Sequence, residues 1–350
     1  MNKHGGYFGE NTKEVMDFSV NVNPLGPSEK LIKELKDKLN TIIRYPEIDG
    51  ETSKNILAEY LSIHPEEIIL GNGATELIYL FARALKPKRV LIIEPTFTEY
   101  RRAFEMTESD IYSYISRETN DFRWYKEELL KEIRKIKPEV IVLCNPNNPT
   151  GVFIDKSEIE NILIKMEDIK ATIFIDESFI DFTDKESSIS LIREYPIYIL
   201  RSMTKFYAIP GLRLGYGIGN KNIISRLNEM KEPWTLNALA LGSTPKLLED
   251  KEYRKEVMNW YTREKKFLYK ELKGIRYLDV FSSEGNFFLC KLKKSNAKEL
   301  KTRLLKENIN IRTCEDFLSL DDRYIRLAVR SREDNIKLIT ALKEILINEI

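Results

Sequence analysis

Four short, almost wholly apolar runs, each stopped by polar or turn residues, set the limits on what this chain can fold into. Val90-Leu91-Ile92-Ile93 stops at Glu94-Pro95, and Val140-Ile141-Val142-Leu143 stops at Cys144-Asn145-Pro146-Asn147-Asn148-Pro149-Thr150-Gly151. Ala171-Thr172-Ile173-Phe174-Ile175 stops at Asp176-Glu177-Ser178-Phe179, and Ile197-Tyr198-Ile199-Leu200 runs into Arg201-Ser202-Met203-Thr204-Lys205. A strand that is apolar on both sides has to be covered on both faces. The stretches between supply the cover: Leu129, Leu130, Ile133 and Ile136 recur at helical spacing. Apolar strands alternating with helices predict an α/β fold around a mainly parallel sheet. In such sheets ligands bind beyond the strand C-termini, where the polar residues of this chain collect.

The rest of the chain extends this pattern. Ile68-Ile69-Leu70 leads through Gly71-Asn72-Gly73-Ala74-Thr75-Glu76 into a helix with Leu77, Ile78, Phe81, Ala84 and Leu85 on one face. A strand, a glycine turn and a helix start together make an anion site, because free N–H groups and the helix dipole face the turn. Thr96-Phe97 is expected to begin a helix carrying Tyr100 and Phe104. Residues 1–30 read as an irregular arm, in which Asn21 and Asn23 share a side if the piece is extended. Ser28 opens a helix with Leu31, Leu35 and Leu39 as its apolar positions. Beyond residue 220 the pattern is helical through Leu272, with Trp234, Leu236, Leu239 and Leu241 expected to pack. Strand Gly285–Leu292, a helix near 296–307, Ile309–Arg312, Tyr324–Arg330 and a last helix then form an α+β unit, joined by the arm. The expected division is an arm and part of a small domain over 1–45, a large domain over 46–240 and a small domain over 241–350.

Composition removes several classes of function. The 350 residues carry a net charge of +1, so no strong field points to nucleic acid or a membrane surface. No apolar run reaches spanning length, and the first residues lack a signal-peptide core, so a cytoplasmic location is expected. Cys144, Cys290 and Cys314 are odd in number and far apart, as in a reduced compartment. His4 and His64 are the only histidines, which argues against a multi-histidine metal site.

The chemistry centres on Lys205, set between Ser202-Met203-Thr204 and Pro210-Gly211-Leu212-Arg213. Hydroxyls and a guanidinium around one amine suit a phosphate-bearing aldehyde, which the amine can hold covalently. With Asn148 and Asp176 at two other strand ends, the combination Asn-Pro-Asn-Asn-Pro-Thr-Gly, Asp-Glu and Thr-Lys-Phe-Tyr-Ala-Ile-Pro-Gly-Leu-Arg resembles the fold-type I pyridoxal-phosphate enzymes of the class II aminotransferase group. The resemblance covers nearly the whole chain. It implies the fold-type I fold, with a mainly parallel sheet in a large domain and a smaller α+β domain, and pyridoxal 5'-phosphate as cofactor. It implies that Lys205 carries the aldehyde, Asp176 pairs with the ring nitrogen, Asn148 meets the ring hydroxyl and Phe97 stacks on the ring. Gly73, Ala74, Thr75, Ser202, Thr204 and Arg213 would hold the cofactor phosphate. Tyr45 would reach the phosphate of a partner subunit, which makes a homodimer with interfacial active sites the expected assembly.

Within that group, His4-Gly5-Gly6, the segment Asp17–Gly26, Arg44-Tyr45-Pro46, Pro233-Trp234 and Tyr324–Ser331 resemble the threonine-phosphate decarboxylases of cobalamin biosynthesis, relatives of the histidinol-phosphate aminotransferases. This narrower resemblance implies decarboxylation of O-phospho-L-threonine. Arg326 would then bind the carboxylate and Arg312 the phosphate, with His4, Gly5, Gly6 and Asn21 closing over it and Arg330 as a weaker candidate. Phe179 stands where aminotransferases usually place a tyrosine, and it cannot donate a hydrogen bond. Amino transfer from histidinol phosphate and decarboxylation of O-phospho-L-serine are the alternatives.

Overall fold

The structure, a computed structural model, describes residues 4–7, 9 and 15–347. After a two-residue strand in the arm, β1 (Met16–Asp17), seven strands form the main sheet. They are β2 (Ile68–Asn72), β3 (Arg89–Glu94), β4 (Asp110–Ile115), β5 (Val140–Cys144), β6 (Thr172–Asp176), β7 (Ile197–Ser202) and β8 (Leu214–Gly219), in the order β2-β8-β7-β6-β5-β3-β4. From β4 across to β7 every pairing is parallel, whereas β8 runs against both of its neighbours. The expected mainly parallel sheet is therefore what forms.

The register shows why the central runs are apolar throughout. Side chains alternate across a strand, and here the two sets enter different cores. Ile92, Val142, Phe174 and Tyr198 pack with Leu77, Ile78 and Phe81 on one face. Leu91, Ile141, Ile173 and Ile199 pack on the other, in the core that continues into the C-terminal part of the chain. All of these residues are nearly or completely shielded from solvent.

The C-terminal part builds an antiparallel sheet from β9 (Leu278–Val280), β10 (Phe287–Leu292), β12 (Arg312–Thr313) and β13 (Tyr324–Ala328), in the order β12-β13-β10-β9. The remaining strand, β11 (Ile309–Asn310), pairs in parallel with β1. The arm thus belongs to this second unit, and it also reaches the first. The Phe18 carbonyl accepts from Ala328 N–H at 3.0 Å, and Asn23 N–H donates to the Lys205 carbonyl at 3.0 Å.

Three local expectations are corrected. The helix expected from Thr96-Phe97 starts at Glu99. Thr96 is spent on the loop instead: its N–H donates to the Glu94 carboxylate at 2.9 Å and its hydroxyl to Asn147 Oδ1 at 2.8 Å. The first long helix spans Glu29–Asp37, capped by Ser28, and Leu39 falls in a 3-10 turn, Leu39–Ile43, where it is exposed. Lys38 is the C-cap of that helix, and its ammonium donates to the Gly242 carbonyl at 2.8 Å. Trp234, expected in a core, is 46% exposed. Its backbone is left-handed (φ 56°), and its ring lies on that of Tyr45 with centroids 5.2 Å apart.

Candidate active site

The C-terminal ends of β6 and β7 bring a carboxylate, two hydroxyls and an amine together. Asp176, the last residue of β6, is almost fully buried. Its Oδ1 accepts from Ser178 N–H at 2.8 Å and its Oδ2 from the Tyr100 hydroxyl at 2.7 Å. Burial, and then the Asp176 charge, hold the Tyr100 hydroxyl well above its ordinary pKa, so it remains a donor. Ser202 closes β7, and its hydroxyl shares a 2.8 Å hydrogen bond with that of Thr204. Lys205 Nζ donates to Ser202 Oγ at 3.4 Å and lies 5.1 Å from the centre of the Phe179 ring. Burial pushes the Lys205 pKa down, and the Asp176 charge opposes that only in part. The result is an amine that deprotonates more easily than a surface lysine, as covalent chemistry at nitrogen requires.

An anion cradle lies beside this amine. Gly73 occupies the N-cap position of helix Ala74–Leu85, with φ 75°. The first N–H groups of a helix have no acceptor within it, and the dipole adds positive potential there. A Cβ on Gly73 would come within 2.2 Å of the Arg213 guanidinium, so the absent side chain is what lets the cation approach the helix start. Arg213 itself is left-handed (φ 59°), an uncommon conformation for a residue with a Cβ. Gly215 continues the close packing, since a Cβ there would stand 2.5 Å from the Ala74 nitrogen.

The second sheet supplies two further cations. Arg312 and Arg326 are directly opposite in the β12–β13 register, so their side chains leave the same face. Both are only 6% exposed. Arg326 donates to Asn148 Oδ1 and, at 2.6 Å, to the Ser19 carbonyl, while its buried Nε has no partner among the described residues. Arg312 is held by Asp316 at 2.6 Å and by its neighbour's carbonyl at 2.5 Å. Burial first, and Arg312 among the nearby charges, push the Arg326 pKa down to about 10. Asn21 Oδ1 is another buried atom without a described partner.

Thus Lys205, Ser202 and Thr204 form one group, Gly73 and Arg213 a second, and Asn148, Arg326 and Arg312 a third. His4 joins through Phe97, with ring centroids 5.7 Å apart, and Phe97 sits edge-on to Tyr100 at 5.7 Å. Gly5 and Gly6 lie on Ser19, whose hydroxyl accepts from Gly6 N–H at 2.8 Å. Tyr45 stands apart on the surface, 84% exposed. Arg330 is engaged by Asp334 at 3.0 Å and the Asp17 carbonyl at 3.1 Å, which makes it a clamp on the arm. Sequence reasoning missed Tyr100 and Ser19. Tyr100 was read only as an apolar helix position, and no local signal marks Ser19.

A phosphate-sized cradle, a lysine with lowered proton affinity and a buried, hydrogen-bonded carboxylate fit pyridoxal 5'-phosphate. The orphaned Arg326 Nε and Asn21 Oδ1 fit a small polar substrate beside it. The chain belongs to the family described as aminotransferase class I and II, which matches residues 13–342 and uses that cofactor. More particularly, it is 34% identical over 336 residues to the threonine-phosphate decarboxylase of Salmonella typhimurium, covering 95% of this chain and 92% of that one. The crystal structure of L-threonine-O-3-phosphate decarboxylase from Porphyromonas gingivalis superposes with TM-score 0.85 at 31% identity, covering 94% of this chain and 98% of that one. That of the histidinol-phosphate aminotransferase from Clostridium acetobutylicum gives TM-score 0.89 at 33% identity, over 95% and 99%.

Proposed function

We propose that this chain decarboxylates O-phospho-L-threonine to (R)-1-aminopropan-2-yl phosphate and carbon dioxide, for the aminopropanol linker of cobalamin. The observation that carries the reading is the opposed pair Arg312 and Arg326. Like charges directly across a sheet repel, and buried ones do so strongly. Asp316 offsets part of that cost at Arg312, and a substrate with a carboxylate and a phosphate brings a further anion for each arginine. Arg326, beside Asn148, takes the carboxylate, and Arg312 takes the phosphate with His4, Gly5, Gly6 and Asn21 above it.

When bound, the cofactor supplies an aldehyde for the substrate amine and a ring that accepts electrons. Asp176 keeps a proton on the ring nitrogen, and Tyr100 and Ser178 fix that carboxylate in place. Asn148 donates to the ring hydroxyl and Phe97 covers the ring. Gly73, Ala74, Thr75, Ser202, Thr204 and Arg213 hold the cofactor phosphate, joined by Tyr45 of a second copy. Lys205 returns a proton to the substrate Cα after carbon dioxide leaves. Which Cα bond breaks depends on how Arg326 orients the carboxylate. Phe179, packed on Phe287 with centroids 5.0 Å apart, offers no hydroxyl here, in keeping with the decarboxylase resemblance. The assembly is read as a homodimer and the division as arm, large domain (46–240) and small domain (241–350). Three buried free thiols fit a reducing cytoplasm.

Purified holoenzyme given O-phospho-L-threonine alone should release stoichiometric carbon dioxide. Turnover that appears only with histidinol phosphate and 2-oxoglutarate would assign the aminotransferase activity instead. O-phospho-L-serine, run alongside, measures discrimination by one methyl, worth about 1–3 kcal/mol.

A further inference from the structure

One buried carboxylate beside the cleft has no part in the roles given above. Glu99 opens helix Glu99–Glu105 and is 3% exposed, a setting that acidic side chains occupy when paired. Its Oε2 accepts from the Tyr79 hydroxyl and lies 3.6 Å from Arg102. Burial, then Glu99 itself, push the Tyr79 hydroxyl up to about 12, so it stays protonated as the donor. Glu99 is thus anchored from its own helix and from a neighbouring one. Its Oε1 is 3.0 Å from Nε2 of His4.

His4 belongs to a strap with few ways to lie. A Cβ on Gly5 would stand 2.2 Å from the Ser19 carbonyl oxygen, and Gly6 has φ 122°. Gly6 N–H donates to Ser19 Oγ at 2.8 Å and Tyr7 N–H to Asp17 at 2.9 Å. The Ser19 carbonyl also receives Arg326. The strap and the carboxylate-binding arginine are therefore built on one residue. On the far side, Glu99 holds the His4 ring at Nε2 and Phe97 packs against it. His4 is 46% exposed, so the ring keeps an open edge although Nε2 is engaged.

We propose that Glu99 is a positioning residue: by holding His4 at Nε2 it seats residues 4–6 over the cleft and leaves Nδ1, as an N–H, to donate to the phosphate of the substrate. The phosphate half of this rests on the function proposed above, while the seating of the strap does not.

The test uses Glu99→Gln, His4→Gln and the double variant. In substrate-free holoenzyme, Glu99→Gln should speed hydrogen exchange at the Gly6 and Tyr7 amides about tenfold, as expected when a closing contact weakens. The KM for O-phospho-L-threonine should rise about tenfold, the scale of one charge-assisted hydrogen bond, with kcat changing far less. His4→Gln should match it, and the double variant should be no worse than either single one. Binding of unphosphorylated L-threonine, followed by cofactor absorbance, should not change. Unaltered amide exchange in Glu99→Gln would overturn the seating, whether or not O-phospho-L-threonine is turned over. Equal weakening for L-threonine, or additive losses in the double variant, would overturn the link to phosphate. If Glu99→Gln melts early, His4→Gln, altered at a half-exposed position, carries the same expectations.

Discussion

At Lys205 one substitution separates chemistry from folding. Lys205→Met keeps much of the side-chain volume and removes the amine. It should abolish turnover and the visible absorption of lysine-bound cofactor while the protein stays folded. The apoprotein makes a further prediction from pH. The Lys205 pKa is lowered from 10.5 by burial. Between the lowered value and 10.5 the unfolded chain binds more protons than the folded one, so the wild-type apoprotein gains stability as pH rises. The methionine variant lacks this term. Its stability relative to wild-type apoprotein should be greatest near neutral pH and should shrink towards pH 10.5, as read from urea midpoints; a pH-independent difference would contradict the burial argument. Lys205, Asp176 and Asn148 could be singled out in the sequence because the covalent and electrostatic roles proposed for them each admit few residue types. Tyr100, Ser19 and Glu99 were not, because their roles exist only through contacts between distant segments. A tyrosine at a helical apolar position gives no sign that its hydroxyl meets a carboxylate 76 residues away.

The same division holds for whole elements. Strands with both faces buried were legible because their apolar runs are short, rich in Ile and Val and stopped at once by turn residues, unlike the longer apolar stretch inside helix Ala74–Leu85. Edge strand β4 did not stand out: Asp110–Ile115 is exposed or half-buried except at Tyr114, and its boundary is set by pairing with β3. Strands β1, β11 and β12 are two residues each, too short for any periodicity. The arm is the clearest case. Asn23, read from sequence only as sharing a side with Asn21, is a buried junction. Its amide donates to the Phe206 carbonyl and the Tyr253 hydroxyl, both at 2.9 Å, and its backbone N–H meets the Lys205 carbonyl. The arm is therefore stapled to the lysine loop. Asn23→Ala strands buried polar groups and should cost about 1–3 kcal/mol in equilibrium unfolding. It should also loosen the loop, so cofactor should dissociate faster on dialysis. Unchanged stability and retention would show that the arm and the loop are independent.

For the molecule as a whole, the family resemblance implies that Tyr45 serves another subunit, and the single chain leaves it on the surface. Ile42, Ile43, Tyr45, Ile48 and Trp234 are between 46% and 79% exposed or, for Tyr45, 84%. All but Trp234 fall within residues 42–48, and the Tyr45–Trp234 contact joins the remaining ring to them. Residues Ile43, Arg44 and Tyr45 also line a cavity of about 620 Å³ that runs to Leu241 and Pro245. A contiguous apolar surface of this kind marks an interaction face, and in the proposed homodimer a second copy would cover it and give Tyr45 a cofactor phosphate to reach. Ile43 has no role in the site described, yet it is 79% exposed within this face. A charge there must be desolvated if the face closes and is harmless if it does not. Ile43→Glu should therefore shift the protein to monomer in sedimentation velocity with no loss of monomer stability. Activity should fall with the dimer, because each cradle would lose the tyrosine of its partner. A variant that stays dimeric, or a monomer that retains full turnover, would leave Tyr45 without the function its position suggests.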